Sequence, residues 1–173
     1  MHKATMVLEG GATRGVFTAG ALDYLMEQDT YVSHVIGVSM GSCNAADYVS
    51  RQPGRTRDCC IPENRASGYI YGPRELMKER SLMNMDMIFD KYPNELHPFD
   101  YETYFNSGMK CDIVVTNCLT GKAEFLDERA DRARLMKICR ASCSMPLLTP
   151  IVNVDGVPYL DGGIADSVPI RRA

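Results

Sequence analysis

The apolar residues of this chain fall into runs with two different periods. Thr5 to Leu8 is a short, nearly unbroken apolar run, the pattern of a strand buried on both faces. Glu9-Gly10-Gly11-Ala12-Thr13-Arg14-Gly15 follows as a turn. Val16, Ala19, Leu22, Leu25 and Met26 then recur at helical spacing. A second apolar strand spans Val32 to Val38, and Met40 to Ser50 reads as a helix. Strand, helix and strand in this order form a βαβ unit, which implies a parallel sheet with a right-handed crossover.

The pattern breaks between about Arg51 and Gly108, which carries most of the prolines and mixed charges. Short helices are expected around Pro73 to Arg80 and Met83 to Phe89, within an insertion (residues 51–108) over one end of the sheet. The run Leu82-Met83-Asn84-Met85-Asp86-Met87-Ile88 suits either core filling or an adaptable, lipid-facing lid. Strand periodicity returns at Cys111 to Cys118, and Gly121 turns it into a hairpin partner at Ala123 to Leu126. Ala130 to Ala141 reads as a helix with Leu135, Ile138 and Cys139 on one face, and Pro146 and Pro150 close that region. Asp155-Gly156 links Val152–Val154 to Val157–Leu160 as a second hairpin, whose outgoing strand delivers Asp161-Gly162-Gly163. The expectation is one α/β domain over residues 1–173.

Composition narrows the function classes. With 173 residues, 45% hydrophobic and 24% charged, the chain has globular proportions and enough length for a sizeable core. A net charge of −3 and the lack of a Lys/Arg block argue against nucleic acid. No stretch approaches the roughly 20 apolar residues of a membrane span, and Glu9 interrupts the N-terminal segment too soon for a signal peptide. The seven cysteines include no C-x-x-C pair, and their spacing suits neither a disulfide framework nor zinc. Reduced thiols in a cytoplasmic protein are expected, with no metal.

Gly37-Val38-Ser39-Met40-Gly41 is a G-x-S-x-G pentapeptide between a strand and a helix. That context places Ser39 at the top of a sharp turn, beside a helix N-terminus that favours developing negative charge. The alternative is a tight βα turn with Ser39 as a helix cap. The loop from Gly10 to Gly15 also follows a strand and opens a helix. Ala12 spoils a dinucleotide fingerprint, the next strand ends in no acid, and no G-K-[ST] follows for a phosphate-binding loop. An oxyanion hole built from the N–H groups of Gly10, Gly11 and Ala12 fits better; a plain helix N-terminus is the alternative. Asp161, before two glycines, could reach a neighbouring loop or form an Asx-type turn. Of His2, His34 and His97, only His97 follows the serine, in an irregular segment. A serine–histidine triad is therefore disfavoured, leaving a carboxylate as the base acting directly on Ser39.

These three motifs, in this order, resemble the patatin-like phospholipases, and most closely their bacterial cytoplasmic members. Ala141-Ser142-Cys143-Ser144-Met145-Pro146, Tyr159-Leu160, the segment Arg80 to Asp86 and Pro93-Asn94-Glu95-Leu96 extend the likeness over almost the whole chain. The resemblance implies a three-layer α/β sandwich with a mostly parallel central sheet. It implies a lipid acyl hydrolase of the phospholipase A or esterase type, without a cofactor, working through a Ser39–Asp161 dyad. Gly10, Gly11 and Ala12 would hold the oxyanion. Arg14, Gly15, Gly37, Gly41, Gly162 and Gly163 would support the loops or the substrate. The implied partners are a lipid or other acyl ester and a transient membrane surface.

Two departures qualify the likeness. Ala12 stands where the family has a third glycine, so either a Cβ crowds the oxyanion site or φ must stay negative. The chain also stops at Arg171-Arg172-Ala173, where family members continue, so C-terminal elements are expected to be missing. A weakly active or inactive lipid- or anion-binding protein of the same fold is the alternative reading.

Overall fold

The computed structural model describes residues 1–61 and 81–173. The helix expected at Pro73 to Arg80 lies outside the described residues. Strand β1 (His2–Leu8) leads through the glycine loop into helix α1 (Gly15–Glu27), then β2 (Val32–Val38) and α2 (Met40–Val49). Helix α3 (Arg55–Cys60), a π-helix (Met87–Leu96) and α4 (Tyr101–Asn106) precede β3 (Lys110–Asn117) and β4 (Ala123–Leu126). Helix α5 (Arg132–Ser142) and the hairpin β5 (Val152–Val154) and β6 (Val157–Asp161) follow.

The strands form one sheet in the order β1-β2-β3-β6-β5, with β4 also on β3. β1, β2 and β3 run parallel, as the βαβ pattern requires. β4 and β6 pair antiparallel with β3, and β5 with β6. One detail of register places the functional loops. β2 pairs with β3 up to Val38–Val114, and β6 begins its pairing at Asp161–Val115. β4 occupies the other edge of β3 over Ile113 to Thr116. β2 and β6 therefore share one edge of β3 and meet end to end.

Side chains alternate across the sheet as a period of two requires. Val35, Ile113 and Val115 join Leu22, Val49, Tyr104, Leu135 and Ile138 in the larger core, on the face covered by the helices. Ile36, Val38 and Val114 form a smaller cluster on the opposite face, with Val7, Ala123 and Phe125 packed against it.

Several boundaries differ from the sequence expectations. β1 begins at His2 because His2 pairs with Val32 and its N–H donates to the Tyr31 carbonyl at 2.7 Å. The helix expected over Met83 to Phe89 instead runs on to Leu96 as a π-helix. The Asn84 side chain accepts from the Met87 N–H at 2.9 Å and sets its start. Pro93, lacking an N–H, lies inside it, where an α-helical ladder would be broken.

Candidate active site

Three loops meet at the end of β2. Ser39 follows β2 directly and has φ 53° and ψ −127°, a conformation that costs a non-glycine residue energy and persists only when its surroundings enforce it. The enforcing contacts are visible. The buried Ser142 hydroxyl accepts from the Ser39 N–H at 2.9 Å and donates to the Val114 carbonyl at 2.7 Å. The Ser39 carbonyl in turn accepts from the Ser42 N–H at 2.8 Å and the Ser42 hydroxyl at 2.6 Å. Ser39 makes no side-chain capping bond to α2, so its hydroxyl is not engaged by its own helix.

Asp161 ends β6 and is 6% exposed. The Ser39 hydroxyl is near enough to its carboxylate to lower the carboxyl pKa. Asp161 also accepts from the Gly163 N–H at 2.8 Å, the Asx-type contact. Its main chain is fixed on both sides: the N–H donates to the Ser144 carbonyl at 2.7 Å, and the carbonyl accepts from the Thr116 hydroxyl at 2.8 Å. Burial raises the pKa of its carboxyl above the ordinary value, against the lowering effect of the bonds from Ser39 and Gly163.

The glycine loop lies against the elbow. A Cβ built on Gly10 would stand 2.7 Å from the Ser39 Cβ. Gly11 has φ 149° and Ala12 φ 48°. Of the two alternatives for Ala12, a negative φ is not the one realised: the residue is solvent-exposed and keeps a left-handed backbone, at the cost of local strain. The N–H groups here open the 3₁₀ turn Ala12–Arg14 and helix α1, where intrahelical acceptors are lacking. Arg14, itself exposed, donates its N–H (3.1 Å) and its Nε (3.4 Å) to the Gly11 carbonyl, bracing the loop.

The other glycines serve close approach. Added Cβ atoms at Gly37, Gly41 and Gly162 would run into the carbonyls of Gly41, Leu8 and Val114. One at Gly15 would meet the Met40 side chain, and one at Gly163 would stand 3.1 Å from the Asp161 Oδ1. Asn44 on α2 adds a 3.0 Å bond to the Gly15 carbonyl, tying the two loops' helices together.

Beside Ser39 opens an apolar pocket of about 140 Å³. Its wall includes Met40, Cys43, Met83, Met85, Cys143 and Met145. Of the methionine-rich run, Met85 is 4% exposed and Met83 packs on the core, so these two serve as wall and core together. The histidines lie elsewhere: His34 bonds Thr5 and Asp112, each at 3.2 Å, and His97 stacks on Tyr92. The residues that position the site from outside the three motifs, Ser42, Thr116, Ser142 and Ser144, were not assigned roles from sequence; the Ala141–Pro146 segment was the available signal. No helix among the described residues is long and apolar enough to cross a membrane.

Comparison with known proteins bears on the family and the fold. The family model described as patatin-like phospholipase matches residues 6–173. The chain is 28% identical over 184 residues to the uncharacterized protein YjjU of Escherichia coli strain K12, covering 99% of this chain and 48% of YjjU. It is 28% identical over 169 residues to the patatin-like phospholipase domain-containing protein ZK370.4 of Caenorhabditis elegans, covering 95% of this chain and 12% of that protein. The chain thus spans about half the length of one relative and a smaller part of the other. Among solved structures it is similar in fold to VipD from Legionella pneumophila, with a TM-score of 0.61 at 16% identity, over 97% of this chain and 47% of that one.

Proposed function

We propose, given that the chain belongs to the patatin-like phospholipase family, that it hydrolyses fatty-acyl esters of lipids through Ser39 and Asp161. The observation carrying this reading is Ser39, set on a strained elbow beside the end of β6 that carries the buried Asp161 and lining an apolar pocket.

Asp161 takes the Ser39 proton as Oγ attacks the ester carbonyl carbon. The carbonyl oxygen becomes an oxyanion facing the N–H groups of Gly10, Gly11 and Ala12, each such donor contributing about 3 kcal/mol to the barrier reduction. The carbon–oxygen bond to the alcohol breaks, and Asp161 returns the proton to the leaving oxygen. Water then gives a proton to Asp161 and attacks the acyl-serine; Ser39 recovers its proton as the fatty acid leaves. Arg14 acts by holding the Gly11 carbonyl away from the oxyanion. The free thiols at all seven cysteines suit a reducing bacterial cytoplasm, where the substrate would be met at a membrane surface.

The test is fatty-acid release from aryl esters and phospholipid vesicles by wild type, Ser39→Ala and Asp161→Asn. Both variants are expected to lose at least about a hundredfold in kcat. A wild type that binds lipid but neither hydrolyses esters nor reacts with a fluorophosphonate at Ser39 would be a lipid-binding member of the family instead.

A further inference from the structure

The pocket beside Ser39 is apolar along most of its wall but also carries a charged pair. Asp47 lies on α2 and is 4% exposed. Its carboxylate accepts from Arg55 Nη1 at 2.8 Å and from the Thr56 hydroxyl at 2.6 Å. Arg55 also donates Nε and Nη2 to the His97 carbonyl at 3.1 and 2.9 Å, with its guanidinium 5.2 Å from the Phe99 ring centre. Asp47, Arg55 and Thr56 all line the same pocket as Ser39.

The helix geometry connects the pair to Ser39. Cys43, Ala46 and Asp47 follow Ser39 at spacings that keep them on one face of α2, and all line the pocket. Eight residues at the helical rise put Asp47 about 12 Å from Ser39, the reach of an extended chain of roughly nine carbons. The volume gives an independent measure. A cavity of about 150 Å³ holds a six-carbon benzene ring, and this pocket measures about 140 Å³.

From these two measures we infer that the Asp47–Arg55 pair is the stop of an acyl-length ruler, selecting medium-chain acyl groups of roughly six to ten carbons. The inference rests on Ser39 as the acyl-accepting nucleophile. A shorter chain leaves apolar wall unfilled. A longer one drives its methyl end against a buried ion pair whose oxygens and N–H groups have set partners, and neither charge gains anything from a hydrocarbon.

The ruler is read from kcat/KM on 4-nitrophenyl esters from acetyl to palmitoyl. The expected profile peaks between hexanoyl and decanoyl and falls by roughly tenfold or more at palmitoyl. A flat profile, or one still rising at palmitoyl, overturns the proposal. Cys43→Phe fills the pocket one turn below Ser39 and should move the optimum to butanoyl or shorter; an unchanged optimum counts against the ruler. The double variant Asp47→Leu/Arg55→Met removes both charges together, which buried pairs often tolerate, and should raise palmitoyl relative to octanoyl by roughly tenfold. Should that variant not fold, Cys43→Phe and the wild-type profile decide. Displacement of a bound fluorescent fatty acid by unlabelled fatty acids separates this proposal from the hydrolase reading. Length-selective binding without turnover supports the ruler and removes the hydrolase, whereas turnover without length selection does the reverse.

Discussion

Ser142 holds Ser39 by its main chain, its hydroxyl accepting the Ser39 N–H at 2.9 Å while donating to the carbonyl of Val114 at 2.7 Å. One buried side chain thus links the elbow to β3, the strand on which both β2 and β6 pair. Ser142→Ala leaves that N–H and that carbonyl without their partner, at a cost of about 1–3 kcal/mol. The expected results are a melting temperature lower by several degrees and a kcat on aryl esters reduced roughly ten- to a hundredfold with KM little changed. An unchanged kcat in a folded variant would show that the elbow keeps its geometry without Ser142.

Asp161 combines a functional demand with a cost to the fold. Burial puts its carboxyl pKa above the unfolded value, so the folded state favours the protonated form. The stability this group contributes is present below the ordinary carboxylate pKa and is lost as pH rises through the raised one. Asp161→Asn, which retains an acceptor for the Gly163 N–H, should therefore melt above wild type near neutral pH, with the gap closing in acid. The acid limb of kcat/KM for wild type should lie above the usual carboxylate range, because only ionised Asp161 accepts the serine proton. Melting curves and pH–rate profiles of the two proteins check both signs.

Substitutions in the glycine loop should act in opposite directions. Gly10→Ala sets a methyl group 2.7 Å from the Ser39 Cβ, a side-chain atom that cannot yield without moving the nucleophile. A loss of at least about a hundredfold in kcat is expected. Ala12→Gly relieves the left-handed strain, worth about 1–2 kcal/mol, but loosens the unfolded chain by about 0.5–1 kcal/mol. Little change in melting temperature and an equal or higher kcat/KM are expected; a fall in kcat/KM would mean that the alanine methyl group assists the reaction.

Glu128 is a stabilising carboxylate away from the site. Burial raises its pKa, but N–H donors from Asp131, Ala130 and Arg129 and the Arg134 guanidinium outweigh it and bring the pKa to about 2. Its folded pKa is depressed, so its contribution is present above the unfolded value and lost as pH falls from the ordinary glutamate range toward about 2. Glu128→Gln should lower stability at neutral pH by about 1 kcal/mol, solvent screening taking up much of the shift, and the difference should vanish in strong acid. Urea unfolding across that pH range measures it.

The elements legible in sequence were those whose apolar period is strong and whose ends carry turn chemistry. β2 and its passage into α2 at Ser39, and the hairpin turning at Asp155-Gly156, are found where the pattern placed them. Ser39, Asp161 and Gly10 stand out in the sequence because glycines flank their turns. Ser142 and Thr116 did not, since a serine in a helix and a threonine in a strand carry no local mark of a partner distant in sequence. The Asp47–Arg55 pair was equally silent: neither residue departs from what a helix surface would carry, and only folding brings α3 onto α2. The π-helix was missed because its boundary depends on the Asn84 side chain and Pro93, not on apolar spacing.

The end-to-end meeting of β2 and β6 on one edge of β3 makes the distance between Ser39 and Asp161 a property of the sheet's register. A slip of one residue between β3 and β6 would turn the Asp161 side chain to the opposite face and abolish the pairing outright, with no intermediate spacing available. The proposed pairing is therefore all-or-none in the hydrogen-bond ladder, and activity depending on it should disappear in the same cooperative event that melts the central sheet.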